Sequence, residues 1–111
     1  SVCGRASGWR PAWYETTIHG VFGAAAAGAN LLGLDAIGIR NALGIALNAS
    51  SGTLEGPLMS NAFTANGAVL AASMAAHGIT GAPNSLEGLT GLYPVYHGND
   101  YDRTQLIDGL G

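Results

Sequence analysis

A chain of 111 residues is long enough for one small domain and too short for two. Apolar residues make up 48% of it and charged residues only 10%, against about 25% charged in an ordinary globular domain. A monomer would therefore expose much apolar or small neutral surface, and a partner is expected: a second copy or the remainder of a longer chain. The net charge of −3, the lack of any lysine and four scattered arginines exclude the basic stripe that nucleic-acid binding requires.

Ser1 to Pro11, punctuated by Gly4, Gly8 and Pro11, has no apolar period and reads as an irregular lead-in. Its opening Ser-Val-Cys-Gly reads as a cut or engineered end. We divide the chain into this lead-in, residues 1–12, and a helical segment, residues 13–111. One cysteine, Cys3, cannot form an internal disulfide, and no basic stretch precedes a short apolar run as in a signal peptide. The expected location is the cytoplasm.

The densest cluster of functional side chains follows: Trp13, Tyr14, Glu15, Thr16, Thr17 and His19. Behind it runs a long series of small apolar residues, with no charged residue between Glu15 and Asp35. At 16 residues, His19 to Leu34 is short of the roughly 20 needed to span a bilayer. It is also rich in Ala and Gly, so a buried helix is predicted and not a membrane span. The helix should start near Thr16 or Thr17, where a hydroxyl can cap free N–H groups, and run to about Leu32, with Gly33 as its C-terminal cap. Gly20, Gly23 and Gly28 each weaken a helix by roughly 1 kcal/mol relative to alanine. Close approach of a neighbouring helix at these glycines is the expected compensation.

Asp35 is a good N-cap for a second helix over about Ala36 to Ala49, with Ile39, Leu43, Ala46 and Leu47 at helical spacing. Ser50 to Leu58 is a loop broken by Gly52, Gly56 and Pro57. A third helix, about Asn61 to His77, carries Ala65, Ala68, Ala72, Ala75 and Ala76 and ends at Gly78; His77, in its last turn, reads as a surface histidine. Pro83, Asn84 and Ser85 start a short helical turn through Glu87. Leu89 to His97, holding Gly91 and Pro94, reads as loop or a brief extended piece, and Asp100 to Leu110 as a last short helix. No period-2 alternation is present. The fold class is therefore all-α: a helical bundle of about three main helices plus short helical turns, part of a larger all-helical domain.

His19, His77, His97 and Cys3 show neither an i, i+4 pair nor CxxC, so no metal is expected. No GxSxG elbow and no GxxxxGK[ST] loop is present, and no organic cofactor is implied. Asn48-Ala49-Ser50 matches a glycosylation acceptor by chance. The remaining candidate is the cluster around Tyr14. Arg10 can hold a carboxylate through a two-pronged hydrogen bond. Tyr14 can move a proton if a nearby cation lowers its pKa. The start of the first helix favours an anion. Together these suit a small carboxylic acid. The bland alternative is that Trp13 and Tyr14 merely anchor the helix start.

The ordered blocks WYETTIHG, VFGAAAAGANLLGLD, NALGIALNASSG, NGAVLAASMAAHGITGAP and LEGLTGLYPVY resemble the MmgE/PrpD family over Trp13 to Tyr96. Its members include 2-methylcitrate dehydratase, cis-aconitate decarboxylase and iminodisuccinate epimerase. The resemblance implies an interior piece of a large all-helical domain, a homodimer, and a lyase or isomerase that removes a proton beside a carboxylate of a small di- or tricarboxylic acid. Combined with the residue chemistry around the helix start, this makes Tyr14 the acid/base candidate and Arg10 the carboxylate holder, with Thr16 and His19 in support. Two departures matter. Tyr14 stands where the family commonly has a histidine two residues before the Thr of its entry, here Thr16. Gly56 and Met59 stand where it usually has a Lys-x-x-His pair. Dehydratase or decarboxylase chemistry relying on those groups would be impaired, whereas an epimerase could use Tyr14. The isolated chain is expected to be inactive, and a non-catalytic assembly or dimerisation piece is the alternative.

Overall fold

The computed structural model describes residues 15–52, 57–89 and 91–97. Among these residues the protein is all-α, with three main helices: α1 (Glu15–Leu31), α2 (Ala36–Ala46) and α3 (Pro57–Ala76). A single 3-10 turn, Leu47–Ala49, continues α2, and a short helix α4 (Leu92–His97) comes last. The proposed final helix from Asp100 to Leu110 lies outside the described residues, as does the lead-in.

Local chemistry accounts for the ends of the main helices. Asp35 caps α2, its carboxylate accepting the Gly38 N–H at 2.8 Å. α1 and α3 end alike. Gly33 and Gly78 take positive φ, 78° and 87°, which glycine adopts without a Cβ penalty. At the first, the Gly33 and Leu34 N–H groups donate back to the Asn30 and Ala29 carbonyls; at the second, Gly78 and Ile79 donate to Ala75 and Met74. Both are Schellman closures, which satisfy carbonyls the helix itself leaves open.

Two boundaries differ from the sequence expectation. α3 begins at Pro57 and not near Asn61. Pro57 was read as a loop breaker, but at the first helical position its missing N–H costs nothing and its fixed φ suits the helix. The segment around Pro94 is helical and not loop or extended. Pro94 is the third residue of α4, where an N–H has no partner within the helix. The donors before it are satisfied from a distance: the Leu92 N–H by the Ser85 carbonyl at 2.7 Å and the Tyr93 N–H by the Leu86 carbonyl at 2.9 Å. The predicted turn over 83–87 thus becomes the cap of α4, closed on itself by the Gly88 N–H to the Asn84 carbonyl.

The core has two parts. One gathers Ile18, Val21, Phe22 and Ala25 of α1 with Ala46, Ala68, Ala71, Leu92 and Tyr93. In the other the buried residues are all alanines, Ala29, Ala42, Ala72 and Ala75, with the partly buried Leu34, Ile39 and Ile45 packed against them. An alanine seam supplies little area per residue, so it stabilises by letting backbones approach closely. The glycines that permit this are only partly those expected. A Cβ on Gly28 would lie 3.2 Å from the Ala72 Cβ, as the close-approach argument requires. Among the described residues, Gly20 and Gly23 face no atom within 4 Å, so they serve no helix contact there. The tightest approaches are elsewhere. A Cβ on Gly44 would run into the backbone of Gly81 and Ala82, and one on Gly67 would lie 2.7 Å from the Ala49 Cβ. The segment after α3 is thereby laid across α2, with the Gly81 N–H donating to Asn41 Oδ1 at 3.3 Å.

Candidate functional site

The start of α1 is pinned by hydroxyl groups. Thr17 was one of two expected helix caps, but its Oγ1 donates to the Ser51 carbonyl at 2.8 Å. Ser50 Oγ, buried, donates to the Ile18 carbonyl at 2.8 Å. The Tyr96 hydroxyl donates to the Ser50 carbonyl at 2.7 Å. Residues 50–51 belong to no helix or strand, so their carbonyls have no ladder partner. Side chains from α1 and α4 take that place, as buried backbone polar groups demand.

His19 lies one turn into α1 and is only 4% exposed. Its ring is tilted 44° against that of Tyr93, with centroids 6.4 Å apart. Tyr93 itself is completely buried. Thr16 is exposed in the first turn of the same helix. Thr16 and His19, three residues apart on α1, thus stand one exposed and one buried at this end of the helix. Tyr14 and Arg10, the other two predicted site residues, lie outside the described residues. Of the positions matched to the family's Lys-x-x-His pair, Met59 is exposed on α3 and Gly56 lies outside the described residues.

His77 is exposed at the end of α3, its Nδ1 2.7 Å from the Ser73 carbonyl, in keeping with a surface role. Among the described residues, no three His, Cys, Asp or Glu side chains converge as a metal site would need. Nor is any helix there long and apolar enough to cross a membrane.

Ser50, Tyr93 and Tyr96 were not singled out from the sequence. Ser50 drew notice only as the third residue of a glycosylation match, and the two tyrosines lay in a stretch read as loop. No local signal marks them, because their partners are 32 or more residues away: Ile18 for Ser50 and Ser50 for Tyr96.

With this geometry in view, comparison with known families is informative. Residues 1–104 match the model of the MmgE/PrpD N-terminal domain. The chain therefore belongs to the MmgE/PrpD family, and the match extends beyond both ends of the Trp13–Tyr96 stretch that carried the resemblance. Searches of curated proteins and of solved structures gave no match.

Proposed function

We propose that this protein contributes part of the active site of a lyase or isomerase acting on a small di- or tricarboxylic acid. In this reading Arg10 holds a substrate carboxylate and Tyr14 removes the proton from the neighbouring carbon. Thr16 and His19 support them at the first turns of α1. The carbanion so formed either expels a leaving group, as in a lyase, or regains a proton on its opposite face, as in an epimerase. Neither route calls on a metal or an organic cofactor. The observation that carries the reading is the family match over residues 1–104. The Thr16–His19 pair at the helix end adjoining Tyr14 supports it.

The absence of lysine, and Tyr14 where the family commonly has a histidine, argue that the 111 residues alone do not turn such acids over. The test pairs a turnover assay on a panel of small di- and tricarboxylic acids with a citrate titration followed by NMR. Citrate is expected to shift the Thr16 amide and the His19 ring with no turnover. Robust turnover that survives Tyr14→Phe would overturn both the inactivity and the site.

A second reading, an assembly piece without catalysis of its own, is favoured by one observation. α3 carries no charged residue over 20 positions and exposes Phe63, Val69 and Leu70, while Leu31 at the end of α1 is 86% exposed. Large apolar side chains exposed along an uncharged helix mark a surface that a partner can cover. Light scattering decides here: a well-folded monomer at low concentration would refute an obligate assembly.

A further inference from the structure

The hydroxyl contacts at the start of α1 form a chain with a direction. Tyr96 on α4 holds the Ser50 carbonyl, the Ser50 side chain holds the Ile18 carbonyl, and Thr17 holds the Ser51 carbonyl. Three segments far apart in sequence thus meet at residues 50–51. Ile18, the residue gripped, lies directly between Thr17 and His19. The same α4 contributes Tyr93 against the His19 ring, so one short helix touches this end of α1 by two independent routes.

We propose that Tyr96 and Ser50 are positioning residues: a clamp through which α4 sets the placement of Thr16 and His19 in the candidate site. The role of the site rests on the function proposed above, whereas the mechanical coupling from α4 to α1 stands on the contacts alone. Each link can be cut separately. Tyr96→Phe keeps the ring and removes only the hydroxyl, which breaks the α4 link. Ser50→Ala leaves the backbone carbonyl for Tyr96 and breaks the α1 link. The coupling is reciprocal: a ligand that fixes the start of α1 must also hold α4 more tightly.

The test is amide hydrogen exchange on the full 111-residue chain, with citrate as the probe ligand. In both variants the amides of His19 to Phe22 are expected to exchange about fivefold faster or more, while those of Ala26 to Leu31 are unchanged; loss of one local contact opens a local unit and not the whole fold. The apparent citrate Kd should rise by about the same factor in both variants, and citrate should slow exchange at Tyr93 and Val95 in the unaltered protein. Exchange that rises evenly along α1, or does not change, overturns the clamp. A citrate Kd unchanged in both variants, with the local exchange effect present, leaves contacts that stabilise without positioning and also overturns the proposal. If citrate fails to bind the unaltered protein, the proposed function falls, and the exchange contrast still decides the coupling.

Discussion

The two ends of α1 are held by different physics. Its C-terminal half packs through Ala29 and Gly28 against Ala72 and Ala75, an interface of methyl groups and bare backbone. Its N-terminal half packs Ile18, Val21 and Phe22 against Leu92 and Tyr93 and is tied by hydroxyls to residues 50–51. The first arrangement is written into composition, since only small residues allow it, and it tolerates no added bulk. The second depends on a few large or polar side chains arriving from distant segments. A candidate site at the second end is consistent with that difference. Hydrogen bonds and aromatic contacts orient groups, whereas an alanine seam only sets a distance.

Substitutions can break or sharpen this contrast. The largest effect is expected at the aromatic end. Tyr93→Ala empties a fully buried aromatic position against His19 and should cost about 4 kcal/mol, read from denaturant unfolding monitored by circular dichroism. A loss under about 1 kcal/mol would mean that α4 is not part of the core. Next comes the small-residue packing, probed by adding a single methyl. Gly44→Ala forces a Cβ into the backbone of Gly81 and Ala82. A loss of about 3 kcal/mol is expected, because backbone cannot swing aside as a side-chain tip can. The smallest effect has the opposite sign. Gly23 is exposed in α1 and a Cβ there meets nothing within 4 Å among the described residues, so Gly23→Ala should stabilise by about 1 kcal/mol through helix propensity. Destabilisation at Gly23 in the unfolding curve would show a neighbour covering that face of α1.

Thr64 illustrates a polar group whose meaning packing alone does not give. It lies one turn before Ala68 on the face of α3 that enters the core, and its Oγ1 is buried without a hydrogen-bond partner among the described residues. A buried hydroxyl left unpaired costs about 1–3 kcal/mol.

The all-α class, the three main helices and the stops at Gly33 and Gly78 were legible in the sequence, as was the Asp35 cap. Each depends on residues within one turn of each other: an Asp accepting from an N–H three residues on, or a glycine reaching a positive φ to close the last carbonyls. Family membership was legible too, through the order of the small-residue blocks. The close-approach argument for α1 was right for Gly28 but misplaced for Gly20 and Gly23, since composition marks a helix as packable without saying which side is packed. Of the candidate site, Thr16 and His19 could be named from local chemistry. Their contrasting exposure could not, because exposure is set by how distant segments pack: Tyr93, whose ring stands beside that of His19, comes from a segment whose glycine and proline argue against a helix.

Local hydrogen bonding and residue size, which the sequence carries by itself, thus determined the helices, their stops and the family to which they belong. Tertiary structure alone decided that Pro94 sits inside a helix capped from Ser85 and Leu86, that Gly44 admits the backbone of Gly81 and Ala82, and that Ser50 and Tyr96 grip the start of α1. The physical reason is range. A cap or a turn is settled by neighbours in the chain, whereas a buried carbonyl takes whatever donor the folded chain brings to it, and that donor can come from anywhere in the sequence.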